Sequence, residues 1–119
     1  MPRSLEDLVA RWEQIATHAA TYNLTLDDWL NDLDLRDIIG RRIAETPDAH
    51  TAEIQARLGA ADQTFRDATR ESTQSLWGPT AGGEHDPTRH WWYFRYPASP
   101  GPSMRRDLEI AGVLRRADR

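Results

Sequence analysis

The first part of the chain repeats apolar positions with the period of an α-helix. Ser4, followed three residues later by Asp7, resembles a capping box with Asp in place of Glu. The apolar residues after it recur three and four positions apart, which places them on one helical face. These residues are Leu5, Leu8, Val9, Trp12, Ile15, Ala16 and Ala19. The pattern predicts an amphipathic helix over roughly residues 5–20.

A second helix is predicted to begin after Thr25, which forms a second cap signal with Asp28. One group of apolar residues then lies on one side of the helix: Leu26, Trp29, Leu30 and Leu33. The next group falls on the opposite side: Leu35, Ile38, Ile39 and Ile43. One unbroken helix with opposed stripes would have to be buried between two layers. The favoured interpretation is a break near Asp34, where Asp34 and Asp37 cap a new helix from 35 to about 45.

The strongest helical period follows Thr46-Pro47-Asp48, which ends the preceding segment. Its seam steps by four and three through Ile54, Leu58, Ala61, Phe65, Ala68 and Ser72. Small residues in this seam would let a neighbouring helix approach closely. The pattern predicts a long helix in the core of an antiparallel bundle.

An aromatic segment, RHWWYFRYP over residues 89–97, follows a loop over 77–87 that holds two prolines, three glycines and no period. Residues 90–96 carry strand-forming side chains on both faces, so the segment is expected either to pair as a strand, to lie as an irregular extended strap, or not to be a strand. A lone strand leaves its backbone groups unpaired. The nearby candidate for pairing, 76–80, contains a glycine and a proline, which suit a strand badly.

Three interpretations of the aromatic segment stay open. In the favoured one, a strap lays alternate rings across the open end of the bundle and completes its core. In the second, the strand pairs with a partner or with its own copy in a dimer. In the third, its rings stack on single-stranded nucleic acid while arginines bind phosphate. The residues of that third site are Arg89, Trp91, Tyr93, Arg95, Arg105 and Arg106.

These elements predict a mainly α fold, a compact bundle of three to five helices with an aromatic extended strap and a short C-terminal helix that begins at Ser103. The length of 119 residues suits a single domain over 1–119. Its parts are a helical core over 4–75, a loop over 76–89, and the strap and C-terminal helix over 90–116. The expected core is Leu8, Trp12, Ile15, Leu26, Trp29, Leu30, Leu33, Ile39, Ile54, Leu58, Phe65, Trp92 and Leu108.

Charge is distributed unevenly along this sequence. There is no cysteine, which excludes disulfides, thiolate metal sites and cysteine nucleophiles. Residues 1–37 hold 8 acids and 3 arginines, residues 38–88 hold 8 and 5, and residues 89–119 hold 3 and 7. The front is acidic and the tail is basic. No apolar run approaches the length of a membrane span, so a cytoplasmic protein without a membrane partner is expected.

Five aspartates lie within eleven residues: Asp27, Asp28, Asp32, Asp34 and Asp37. The EF-hand pattern fails from Asp32, because Asp37 falls where the turn glycine is needed and Ile43 where the bidentate glutamate is needed. No metal site and no cofactor are predicted. The carboxylates are either a solvated face with caps or a patch that binds a basic protein, such as the nucleic-acid cleft of a nuclease.

In size, charge pattern and lack of catalytic motifs the chain resembles small acidic proteins that inhibit toxins, among them immunity proteins and antitoxins. The resemblance is to a class and carries no residue correspondence. It implies a non-catalytic protein-binding module, of the inhibitor, immunity or antitoxin kind, whose partner is a basic protein such as a nuclease-type toxin. The first alternative is the nucleic-acid-binding module described above.

A second alternative is a small helical ribonuclease. Arg11 and His18, seven residues apart on the first predicted helix, resemble the arginine-then-histidine spacing of the HEPN family. That resemblance implies a dimer that brings two such pairs together, although Trp12 stands where the family often places a polar residue. Another cluster, His85 and His90 with Glu84 and Asp86, has the side chains for acid–base chemistry or weak metal binding.

Overall fold

A computed structural model describes residues 4–77 and 86–114. Each of its three long helices begins at a residue whose side chain caps the helix N-terminus. The helices are α1 (Leu5–His18), α2 (Leu26–Glu45) and α3 (Ala52–Asp67). The Ser4 hydroxyl accepts a hydrogen bond from the backbone N–H of Asp7, and Thr25 and Asp28 complete a capping box. Both predicted N-terminal caps are therefore confirmed, and Thr51 caps α3 in the same way as Ser4 caps α1.

The three helices form an up-down-up bundle. Helices α1 and α3 run in the same direction, because Leu5 lines a small cavity with Ile54 and, further along, the Trp12 indole reaches Asp62. Helix α2 runs in the opposite direction, since its Trp29 ring stacks on Phe65 and its Arg36, further along, binds Asp62. The predicted mainly α fold class is confirmed.

The predicted break near Asp34 is wrong, since α2 continues through it to Glu45. On an ideal helix Ile39 and Ile43 lie only about 80° and 40° from Trp29, so they widen the buried arc instead of opposing it. Ile39 is fully buried and Ile43 half-buried, whereas Ile38 remains 40% exposed. One wide apolar arc explains one continuous helix.

The aromatic segment forms a turn and a short strand. Residues Trp91–Phe94 make a 3₁₀ turn, and β2 (Arg95–Pro97) pairs antiparallel with β1 (Thr69–Glu71), with Arg70 opposite Tyr96. The expected extended conformation over 90–96 is therefore wrong for the first part of the segment, and the strand that pairs with β2 is Thr69–Glu71. Helix α3 is shorter than predicted, because Ser72 follows β1 instead of continuing the helical seam.

The 3₁₀ turn is explained by burial. Trp92, Tyr93 and Phe94 are 5%, 3% and 8% exposed, so three consecutive rings face the protein interior. A strand would send alternate rings to opposite faces. Backbone hydrogen bonds from Ser72 to Phe94 and from Leu76 to Tyr93 hold the turn against the chain after β1.

The last described helix, α4 (Pro102–Ile110), buries Met104 and Leu108 completely. All the expected core residues are buried except Leu26, which is half-buried. Phe65 lies at the centre of the aromatic core, 4.8 Å from the ring of Trp12, 5.6 Å from Trp29 and 6.0 Å from Trp91. The aromatic segment thus contributes to the core, as the favoured interpretation expects, but it does so with the consecutive rings of Trp92, Tyr93 and Phe94 and not with alternate ones.

Candidate functional site

The five aspartates of α2 do not form one face. Asp28 belongs to the capping box, where its carboxylate accepts from the Thr25 backbone and hydroxyl. Asp32, on the same side, accepts from the Tyr22 hydroxyl at 2.9 Å. Burial first, and then this hydrogen bond, raises the pKa of Tyr22 well above its ordinary value. These two carboxylates therefore stabilise the fold on one side of α2.

Asp34 and Asp37 lie nearer to the aromatic turn. The Asp34 carboxylate accepts from the Tyr93 hydroxyl at 2.6 Å and from the Trp77 indole N–H at 3.2 Å. Asp37 forms an ion pair with Arg41 at 2.9 Å and lies 3.7 Å from the His90 imidazole. Burial, followed by the bond to Asp34, raises the pKa of Tyr93 well above its ordinary value. These contacts fix the aromatic turn on α2.

Large apolar side chains are exposed along the same side of α2 as Asp27 and Asp34. Asp27, Asp34 and Ile38 lie within about 40° of one another on an ideal helix, over a length of about 16 Å. Trp77, held by Asp34, is 42% exposed, and Ile110, which lines a small cavity with Asp27, is 78% exposed. We define the outer α2 face by these five residues: Asp27, Asp34, Ile38, Trp77 and Ile110.

The outer α2 face combines acidic and apolar groups. Helix α2 carries six acidic residues and three arginines, so its own charge is negative. Asp27 is exposed in the first turn of α2. Exposed aromatic and aliphatic side chains next to charged groups are typical of protein interfaces, which have an apolar centre and a polar rim. This arrangement can bind a protein surface of opposite charge.

The six residues of the nucleic-acid alternative are only partly brought together. Trp91 and Arg95 line one cleft, but Tyr93 is 3% exposed and its ring is packed in the core. The remaining predicted residues are exposed elsewhere on the surface and do not line that cleft: Arg89, Arg105 and Arg106. Arg66, which the sequence analysis missed, lies 4.0 Å from the Trp91 ring. The sequence did not indicate a binding role for Arg66, because it lies in an ordinary helical pattern. It meets Trp91 only because β1 pairs with β2.

The two residues of the ribonuclease alternative, Arg11 and His18, are both exposed on α1. In the histidine cluster, Glu84 and His85 lie outside the described residues. Asp86 accepts from the backbone N–H groups of Thr88 and Arg89, and these bonds hold the pKa of its carboxyl below the ordinary range.

Within residues 4–77 and 86–114, no three histidine or carboxylate side chains are placed to hold a metal ion. Over the same residues, no helix combines the length and the apolar character needed to cross a membrane. No family model, no curated protein and no solved structure matches this chain. Its function is therefore inferred from its own residues and their geometry.

Proposed function

We propose that this chain is a protein-binding module that docks its outer α2 face on a basic protein, as small acidic inhibitors such as immunity proteins and antitoxins do. The observation that carries the proposal is the shared position of exposed apolar and acidic side chains on one side of α2. If this side of α2 only served to contact water, acidic side chains would be enough and exposed apolar ones would not be expected. Ile38 and Trp77 add apolar surface that a partner would bury.

Trp77 is the expected anchor of this interface. Tryptophan is enriched among residues whose removal costs the most binding free energy. Its indole N–H already donates to Asp34, so part of the entropy cost of ordering the ring is met before binding. The hydrogen bond therefore favours the ring as a preorganised contact.

The charge of the surface indicates the kind of partner. Asp27 and Asp34 flank the apolar groups, whereas Arg41 is already paired with Asp37. A partner with arginine or lysine around an apolar pocket would be complementary in charge and shape. The nucleic-acid cleft of a nuclease is a surface of this kind.

The test is quantitative affinity capture from a lysate of the source organism after nuclease treatment, followed by binding measurements with the purified partner. The wild-type chain should retain a basic protein that the Asp27→Arg/Ile38→Ser variant loses. Loss of a charge pair and an apolar contact should weaken binding by about 10- to 100-fold. Rim charge should also make the association rate fall with salt.

Glu53→Arg is the matched control, because Glu53 is exposed at the second position of α3, as Asp27 is in α2. It makes the same change of charge in a helix outside the proposed face. Retention of the basic partner by this variant and loss by the Asp27 variant supports the proposal. Equal retention by both, or a partner without basic surface, contradicts it.

A further inference from the structure

A second surface of the protein forms a cleft at the β-ribbon, on the side that carries Glu71 and Arg95. The cleft has a volume of about 510 Å³, within the usual size range of small-ligand sites. Its walls come from the end of α3, from β1 and the residues after it, and from the aromatic segment. The lining side chains used below are Arg66, Glu71, Thr73, Pro87, Trp91 and Arg95.

Two guanidinium groups in this cleft have free donor capacity. Arg95 donates from Nε to the Thr69 hydroxyl at 2.7 Å and from Nη2 to the carbonyl oxygens of Arg66 and Thr69, and its Nη1 group donates to no acceptor among the described residues. The Arg66 guanidinium contacts the Trp91 ring and donates to no acceptor in the described part of the chain. Neither group has a carboxylate within ion-pair distance there, although Glu71 is opposite Arg95 in the strand register.

The electrostatics of the cleft favour an anion. Burial lowers the pKa of Arg95; the charge of Glu71 opposes this effect, and the charge of Arg66 adds to it. Two cations near each other with one carboxylate leave a local positive charge. A bound oxyanion would accept hydrogen bonds from both guanidinium groups.

The other wall of the cleft suits a planar ring. Trp91 is half-buried; the Arg66 guanidinium lies 4.0 Å from its ring centroid, the Phe65 ring packs against it at 6.0 Å, and Pro87 lines the same space. Rings of this kind stack on nucleic-acid bases, and neighbouring arginines add cation–π contacts. A carboxylate side chain of a peptide would use the arginines but not the ring wall.

We propose that this cleft binds a nucleotide unit, with the phosphate at Arg66 and Arg95 and the base against Trp91 and Pro87. The Thr73 hydroxyl, exposed at the rim, is placed among the lining groups for the sugar or phosphate. The site is separate from the outer α2 face and shares no residue with it. A free nucleotide and a single-stranded nucleic acid supply the same chemistry.

The test is a ¹H–¹⁵N NMR titration of the full chain with AMP, adenosine, inorganic phosphate and a short single-stranded oligonucleotide at low ionic strength. AMP should shift the Trp91 indole signal and the backbone amides of Ser72 and Thr73. It should bind more tightly than adenosine or phosphate, since only AMP uses both walls. Much tighter binding of the oligonucleotide would identify the strand as the source of the nucleotide unit, and equal binding would identify the free nucleotide.

Arg66→Gln is the decisive variant, because Arg66 is exposed and its guanidinium donates no hydrogen bond within the described residues, whereas the Arg95 guanidinium does. It should weaken AMP binding by about tenfold or more, as expected for loss of a charge-assisted hydrogen bond. Arg70→Gln is the matched control on the opposite face of β1, and it should change affinity by less than about twofold. Absent AMP shifts, phosphate binding as tight as AMP binding, or equal losses in both variants would overturn the proposal.

Discussion

The carboxylate of Asp62 joins all three helices of the bundle, so its removal is the sharpest test of the fold. It accepts from the Trp12 indole at 2.9 Å and from Nε and Nη2 of Arg36 at 2.9 and 3.0 Å. The side chains of Arg36 and Asp62 are only 13% and 17% exposed, and Trp12 is completely buried. Asp62→Ala would leave a mostly buried guanidinium without a counter-charge and an indole N–H without an acceptor.

The expected cost follows from these two losses. An orphaned buried donor costs about 1–3 kcal/mol, and removal of one partner from a buried ion pair costs about 3–5 kcal/mol. The losses share one carboxylate, so they are not additive. The Trp92 ring, 5.0 Å from the Arg36 guanidinium, retains part of the attraction. We therefore expect Asp62→Ala to lower the free energy of unfolding by about 3–5 kcal/mol, a large share of the stability of a domain this size.

Urea denaturation, monitored by circular dichroism, measures this loss of free energy of unfolding, provided that the dependence of the free energy on urea concentration is the same in both proteins. The Arg36→Met/Asp62→Leu double variant removes the stranded charge and should be at least about 2 kcal/mol more stable than Asp62→Ala. Glu13→Ala is the control, because Glu13 is also paired across helices, with Arg57 at 2.7 Å, but is 37% exposed. It should cost no more than about 1 kcal/mol. Equal costs for Asp62→Ala and Glu13→Ala would refute the reasoning.

Two further predictions concern alkaline pH and space around glycines. The pKa of Tyr93 is raised by burial and by Asp34, so its contribution to stability is present below pH 10.0 and is lost as pH rises through and above that value. Urea midpoints should fall more steeply toward pH about 11 in the wild type than in Tyr93→Phe, and parallel curves would contradict this assignment. Gly101→Ala should destabilise by about 1–3 kcal/mol because the new Cβ would overlap Asn23, whereas Gly59→Ala, in open space on α3, should stabilise by about 0.5–1 kcal/mol. Thermal melts of both variants check the opposite signs, and shifts in the same direction would disprove the packing argument.

The predicted helices were right where the signal is local. A cap such as Ser4 or Thr25 lies within four residues of the groups it satisfies, so the sequence shows both partners. Whether α2 is continuous depends on how much of its circumference the neighbouring elements bury. The positions of the apolar residues along the sequence do not show this. The conformation of the aromatic segment depends on its pairing with the strand Thr69–Glu71. In the sequence, these three residues lie within the apolar pattern that predicts a longer helix. Non-local pairing therefore accounts for the main differences.

The same distinction explains the site. Sequence position placed the five aspartates within eleven residues, but it could not show that Tyr22 would bind Asp32 or that Tyr93 and Trp77 would both bind Asp34. Because of these hydrogen bonds, Asp32 and Asp34 stabilise the fold. Asp27 and Ile38, which are exposed, are then the residues of α2 most available to a partner. The strand pairing that buries Tyr93 also brings Trp91 to Arg66. Of the residues predicted for nucleic-acid binding, only Trp91 and Arg95 therefore share a cleft. Because the two proposed surfaces share no residue, Asp27→Arg/Ile38→Ser and Arg66→Gln test them separately, and failure of one proposal leaves the other intact.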